Sequence, residues 1–423
     1  MSYNSNSMTP RHATLRPMLL TTTLAALAVP AVLPPCLAAQ HDTLRLTLSE
    51  VLARVRGEHP VARAGPANVR AASARAADLA RYPNPAIDIE RATFSQADNV
   101  ALLQPIRWPW ESSALRDLGR AEVAVAEAQA KRDARAVALD AAQRFADGLR
   151  DAGAVALAIE AESLAQRGMQ RALAARQLGQ AGDLTVLQGQ VTFDAARRAR
   201  VSAEAERDAS AAALGAVLAL APGTVIVFAG ELGSIAPLAV LDSALAPTAA
   251  DAEAALLAGE ADRAAQAARL ARARRWPEVA LGPSASLEGK AVIGLSLGLG
   301  LPLWNRQGAA IRAGAAEREA ALARLDARRR ERHAAVVEAT GTLARTGREL
   351  DALRTGELAR AAQAESLAAH ALQQGGPYLA AWLGARQAYL DARRAELDLE
   401  WQAARARLVL RHLDGTLLPE ESR

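Results

Sequence analysis

The residues best equipped for chemistry are few in this 423-residue chain, and they stand apart from one another. Its six histidines (His12, His41, His59, His333, His370 and His412) show no paired spacing that would bring two imidazoles to one metal. Gly289-Lys290 closes the stretch GPSASLEGK, but the glycine spacing is wrong for a phosphate loop and no Ser or Thr follows, so it reads as a turn between strands. Asp and Glu are abundant, yet they sit beside Arg at helical spacing, as on solvated helix faces. Cys36 is the sole cysteine, which excludes an intramolecular disulfide. No residue set here supports catalysis, a cofactor or a metal site, so the expectation is a protein that is not an enzyme.

One stretch does have a functional spacing: residues 291–304, AVIGLSLGLGLPLW. From Ile293 to Leu303 every odd position is Ile or Leu, and every even position is Gly, Ser or Pro. A period of two places Ile293, Leu295, Leu297, Leu299 and Leu301 on one face of an extended strand and only tiny side chains on the other. A strand of a soluble sandwich would carry Thr, Lys or Glu on its second face. Here that face is nearly bare, as if it bordered an open space. On this segment alone the first reading is a half-buried strand of a soluble sheet, because one short strand is a weak signal, with a wall that lines an open space as the alternative.

Bulk composition narrows the field. Half of the residues (51%) are hydrophobic, but aromatics make up only 3%, which disfavours a bulky globular core. Past the N-terminus no uncharged apolar run is long enough for a membrane helix. The formal charge is +4 and nearly all cations are Arg, spread along helices without a basic block, so nucleic-acid binding has no support. Arg11 and Arg16 precede a largely apolar stretch, Met18 to Leu33, and then the small residues Ala38 and Ala39, the three-part layout of a secretory signal peptide over 1–39. Its removal takes two Arg and leaves about +2 (4 − 2). Cys36 either leaves with that peptide or is a lipid attachment point.

The mature chain reads as two copies of one script. The first repeat spans 44–220 and the second 248–415, with an irregular Pro- and Gly-rich segment at 221–247 and a tail at 416–423. Each opens at a helix start with an acid three residues after a Thr, Thr47/Glu50 and Thr248/Asp251. Each opening helix closes on an aromatic followed by Pro, Tyr82-Pro83 and Trp276-Pro277. Two strands follow, 86–94 and 100–108 in the first repeat and 279–287 and 292–303 in the second. The alternation is strong in the second pair and poor in the first, where Arg91 and Arg107 interrupt it.

A helical hairpin then occupies 112–220 in one repeat and 308–413 in the other. Its long arms, 112–176 and 308–373, would extend about 98 Å and need coiled-coil neighbours. Each arm ends at a glycine-marked turn, Leu178-Gly179-Gln180-Ala181-Gly182-Asp183 and Gln374-Gly375-Gly376-Pro377.

These elements dictate the architecture. Four strands of 9–12 residues match membrane-spanning length, but an open four-stranded sheet cannot span lipid with unpaired edges, so several copies must close it. Trp108, Trp110, Trp276 and Trp304 all fall at strand ends, where interfacial aromatics belong. Ala-rich helices suit a close-packed ring around a channel.

The layout resembles the TolC-like outer-membrane efflux proteins over about residues 44–415. The resemblance rests on the two-fold repeat, LTLSEVLARVRGEHP, the YPNP joint, GLSLGLGLPLWNRQGAAIRA, and the tip turns followed by LTVLQGQ and LAAWLGARQAYLDA. The joint and the compact length are similar to the cobalt–zinc–cadmium resistance branch. The resemblance implies a mainly α fold with a small transmembrane β-barrel: a homotrimer with a 12-stranded barrel in the outer membrane and an α-barrel tunnel across the periplasm. It also implies docking at the two tip turns of a periplasmic adaptor protein and, behind it, a proton-driven inner-membrane pump. Better-known members carry charged residues just after the tip turns; Thr185, Pro377, Ala381 and Gly384 stand there instead. Any gate would therefore rest on helix packing or on Tyr378 and Trp382. The expected cargo is heavy-metal cations, with organic compounds as the alternative; a periplasmic adaptor and a structural coiled-coil rod are the remaining readings.

Overall fold

The structure, a computed structural model, describes residues 43–91, 98–221, 223–235, 251–288, 290–373 and 379–418. The expected signal peptide with Cys36, Thr248, and the tip residues Gln374, Gly375, Gly376, Pro377 and Tyr378 lie outside the described residues.

The first half runs β1 (Thr43–Leu46), α1 (Leu48–Gly57), α2 (Pro60–Ala80), β2 (Ala86–Arg91), β3 (Asp98–Ile106), α3 (Pro109–Gln177) and α4 (Asp183–Val217). A short β4 (Val225–Phe228) and a 3-10 turn at Leu232–Ser234 follow. The second half runs α5 (Ala252–Ala273), β5 (Glu278–Glu288), β6 (Lys290–Gly300), α6 (Gly308–Ala352), a π-helical segment (Leu353–Leu358), α7 (Ala359–Gln373) and α8 (Leu379–Leu413).

Local chemistry explains most boundaries. The Thr47 side chain and Glu50 form a reciprocal capping box at α1. The first half opens with two helices, not one, because Pro60 suits only a first helical turn and starts α2 behind a cap on His59. In the second half the residue that caps is Asp251 itself, whose carboxylate accepts from the Glu253 and Ala254 amides. At about 1.5 Å per residue the 69 residues of α3 reach about 104 Å. Close helix approach depends on small residues at equivalent places in both halves. A Cβ at Gly119 would lie 2.9 Å from that of Ala76, and one at Gly314 would lie 2.9 Å from that of Ala268.

The segment 221–247, expected to be irregular, contributes β4, which pairs in parallel with β1. This two-stranded sheet covers a bulky core that the low aromatic content did not suggest. Leu46, Val51, Val55, Phe145, Leu214, Ile226 and Leu408 are buried there between α1, α3, α4 and α8. The Phe145 and Phe228 rings meet with centroids 5.9 Å apart.

The larger sheet is antiparallel in the order β2-β3-β5-β6, so the β3–β5 seam joins the two halves. Its strands differ from expectation at their ends: β3 begins at Asp98, β5 extends to Glu288, and β6 ends at Gly300, which leaves Leu301, Pro302 and Trp304 beyond it.

Candidate functional site

Register shows what one strand could not. Ile87 pairs with Leu102 and Ile89 with Val100; Val100 pairs with Ala285 and Ile106 with Val279; Ala285 pairs with Ile293, Leu281 with Leu297 and Val279 with Leu299. Directly opposed residues share a face, so one face carries a largely Ile/Leu/Val surface across all four strands, with Gln104 on β3 and Pro283 and Ala285 on β5 among them. Its large apolar side chains are exposed within the chain: Ile293 is 84% exposed, Leu295 73% and Ile89 71%. The other face carries Asp88, Glu90, Ala101, Ala280, Ser284, Gly294, Ser296 and Gly298, together with Leu103, Pro105 and Val292. Acids stand on that face at Asp88, Glu90 and Glu278, without a cation among the described side chains.

The first strand pair thus brings Ile87, Ile89, Val100, Leu102 and Ile106 to that face, whereas Arg91, in register with Asp98 at the end of β2, remains an interruption. Arg107, read in sequence as an interruption, lies past the end of β3, where its guanidinium donates to the carbonyls of Leu79 and Arg81. It fastens the strand exit to the end of α2.

At the joint between sheet and helices three tryptophans meet. Trp108 and Trp110 stack with centroids 4.9 Å apart, and Trp110 lies 5.4 Å from Trp276. The Trp108 indole donates to the Pro277 carbonyl at 2.8 Å, which links the two halves. Trp304 is apart from this cluster and 92% exposed.

At the far end of α3 the chain reverses through a Schellman motif: the Gly179 amide donates to Arg176 and that of Gln180 to Ala175, with Gly179 at φ +72°. Leu178, Gly182 and Asp183 are exposed, and Ala181 is half-buried. Arg176 and Asp183 bridge the turn at 2.7 Å. Of the residues named as gate candidates, Thr185, Ala381 and Gly384 are exposed, whereas Trp382 is buried between α3 and α8 beside Leu164 and Leu390. The Arg167 and Arg171 guanidinium groups cover its ring. The structure thus gives Trp382 a helix-packing position.

The charged side chains are more than solvated faces. Several pair between helices far apart in sequence, which spacing could not disclose. Asp151 is buried against Arg150 and accepts from Ser210 of α4. The Trp401 indole donates to Asp147 at 2.7 Å, with Arg150 over its ring. Arg386 of α8 reaches Glu160 of α3 at 3.0 Å and Glu365 of α7 at 3.5 Å. Arg354 holds Glu396 and Glu400, and burial pushes the Glu400 carboxyl above its ordinary range against the pull of Arg354. No group of three or more metal-ligating side chains occurs among the described residues, and no described helix is long and apolar enough to cross a membrane.

Comparison with known proteins fits this geometry. Residues 245–416 match the family model described as outer membrane efflux protein, a family of transport ducts and not of enzymes. No curated protein matches the chain. Among solved structures, the outer membrane protein VceC of Vibrio cholerae is similar at a TM-score of 0.70 and 16% identity, over 87% of this chain and 96% of that one. The Campylobacter jejuni CmeC outer membrane channel gives 0.72 at 11% identity, over 89% and 87%. CusC, a protein that forms a transmembrane channel, gives 0.68 at 13% identity, over 87% and 92%. Residues 245–416 are thus similar in sequence to the outer membrane efflux protein family model, in a chain whose fold is similar to that of the solved outer-membrane channels.

Proposed function

We propose that this protein is the outer-membrane duct of a tripartite efflux system. The observation that carries the reading is the two-faced sheet. Its largely Ile/Leu/Val face extends over β2, β3, β5 and β6, and its large apolar side chains stay exposed among the described residues. Such a face is stable against hydrocarbon, but the sheet's outer edges β2 and β6 then need partners. Three copies joined edge to edge supply them and give a 12-stranded barrel, with the Gly/Ser face towards the lumen. The long helices continue the wall across the periplasm. The turns at 178–183 and 374–377 are the ends that meet a periplasmic adaptor and, behind it, a proton-driven inner-membrane pump. Trp108, Trp110, Trp276 and Trp304 mark the membrane–water boundary, and residues 1–39 direct export, with Cys36 removed or lipidated.

Cargo passes through and no chemistry is performed on it. Heavy-metal cations are the proposed cargo, supported by Asp88, Glu90 and Glu278 on the lumen face of the sheet and by the YPNP joint. A strain lacking the protein tests this when grown across graded zinc, cobalt, cadmium, copper and silver, alongside dyes and detergents. Sensitivity confined to metals supports the reading. Sensitivity to organic compounds with normal metal tolerance keeps the duct and overturns the cargo.

A further inference from the structure

The joint between sheet and helices is charged differently in the two halves. The stretches compared end on the aromatic residue before Pro, or surround the start of the helix that follows the strands. In the first half, residues 75–82 and 105–113 hold Arg75, Arg81 and Arg107 against Asp78 and Glu111. In the second half, residues 269–276 and 304–312 hold Arg269, Arg272, Arg274, Arg275, Arg306 and Arg312 and no acid. The first half supplies two counter-ions, Asp117 to Arg269 at 2.6 Å and Glu111 to Arg274 at 3.4 Å. Arg272, Arg275, Arg306 and Arg312 remain, all exposed and without an ion pair among the described residues.

Two of these cations are brought together at the foot of β5 and β6. Arg275 Nε donates to the Arg306 carbonyl at 3.1 Å, a bond that leaves the Arg306 guanidinium uncommitted. Next to them in the chain stand Trp276, 57% exposed, and Trp304, 92% exposed. Leu299, Leu301 and Leu303 are each more than half exposed and lead from Trp304 into the apolar face of the sheet. Within a few residues the surface thus passes from apolar through aromatic to cationic. An amphipathic molecule presents its chain, its boundary and its headgroup in that order.

We propose that the foot of β5 and β6, where Arg275 meets the Arg306 loop beside Trp276 and Trp304, holds the phosphate of an anionic phospholipid in the periplasmic leaflet, with its acyl chains along Leu299, Leu301 and Leu303. The inference deepens the duct reading and rests on it, since that reading puts this joint at the inner surface of the membrane. Uncompensated guanidinium groups repel one another, and a phosphate accepts their paired N–H groups bidentately. A headgroup without an ammonium of its own keeps its full charge for them, so an anionic lipid binds in preference to a zwitterionic one. A free phosphate or an acidic protein would satisfy the cations but leave Leu301, Leu303 and Trp304 uncovered.

Tryptophan quenching in vesicles tests the site. The purified full chain is reconstituted in brominated phosphatidylcholine, which quenches tryptophans that touch lipid, and plain phosphatidylglycerol or plain phosphatidylcholine is titrated in. Phosphatidylglycerol is expected to restore fluorescence at a lower mole fraction than phosphatidylcholine. Arg275→Gln with Arg306→Gln is expected to lower that preference about 30-fold, at about one arginine's contribution each. Arg329→Gln with Arg330→Gln removes the same charge about 30 Å further along α6 and is expected to leave the preference intact. Arg306→Gln alone keeps the carbonyl that Arg275 holds, so it serves if the double variant fails to fold, with an expected loss of about five-fold. Equal recovery with the two lipids in the native protein overturns the proposal, as does a folded variant that keeps the native preference. Quenching without preference leaves the duct reading standing, whereas a chain that brominated lipid does not quench refutes both.

Discussion

Gly282 marks the tightest point of the seam between the two halves. A Cβ there would stand 1.7 Å from the Leu102 carbonyl oxygen and 2.9 Å from its carbon. Real Cβ atoms essentially never approach within 3.0 Å, and the obstacle is backbone, so β3 and β5 must part by at least 1.3 Å (3.0 − 1.7). A ladder hydrogen bond of about 2.9 Å would then stretch to about 4.2 Å and cease to exist. The two rungs at risk flank the site, at Ala101↔Ser284 and Gln104↔Leu281. With unsatisfied buried groups costing about 1–3 kcal/mol per rung, Gly282→Ala should destabilise by about 2–6 kcal/mol, and by more in hydrocarbon, where no water replaces the lost partner. Gly298→Ala is the control, since its Cβ would meet Ala280 at an ordinary 3.6 Å. Urea unfolding in detergent, followed by tryptophan fluorescence from the Trp108–Trp110–Trp276 cluster, should show a lower midpoint at unchanged slope for Gly282→Ala alone. Equal midpoints for native protein and Gly282→Ala would refute the reasoning.

Three further predictions use the same assay. Leu297→Arg, on the apolar face, should cost about 2–4 kcal/mol in lipid, whereas Ser296→Arg on the opposite face should cost far less; similar losses would deny the sheet its two faces. Phe145→Ala, in the core beneath β1 and β4, should cost about 3–5 kcal/mol, and a loss below about 1 kcal/mol would show that this region is not the packing centre. The His412 imidazole lies below its ordinary value of 6.5 because of burial, reinforced by Arg328 and Arg135 and opposed by Asp251. The unfolded chain takes up that proton first, so the contribution is complete above 6.5 and is lost as pH falls from 6.5 towards the folded value. His412→Gln should therefore lose less stability than native protein between pH 7.5 and pH 5.5, and an equal loss contradicts the assignment.

What could be read in sequence was whatever repeats locally. The alternation from Ile293 to Leu301 announces a two-faced strand because period two is set by backbone geometry alone. The partner strands were harder. Ile87 and Ile89 join the same face only through their register with Leu102 and Val100, a pairing that no single strand encodes. Arg107 misled because a sequence does not show that the strand has ended one residue earlier. β1 and β4 escaped notice because four residues carry too little pattern, and their pairing spans most of the first half. The π segment leaves little trace, since one surplus residue shifts the helical phase without a change in composition. Contacts such as Trp401 with Asp147 or Arg386 with Glu160 join residues more than two hundred positions apart, and spacing rules see only neighbours.

The central claim is that the sheet turns its Ile/Leu face to lipid and its Gly/Ser face to water in an outer-membrane barrel. Single cysteines at Leu295, Leu297, Ser284 and Ser296, in a Cys36→Ser background, test it directly in isolated outer-membrane vesicles treated with a membrane-impermeant maleimide. The account predicts labelling at Ser284→Cys and Ser296→Cys and protection at Leu295→Cys and Leu297→Cys. Uniform labelling at all four positions, or the reverse pattern, would contradict it.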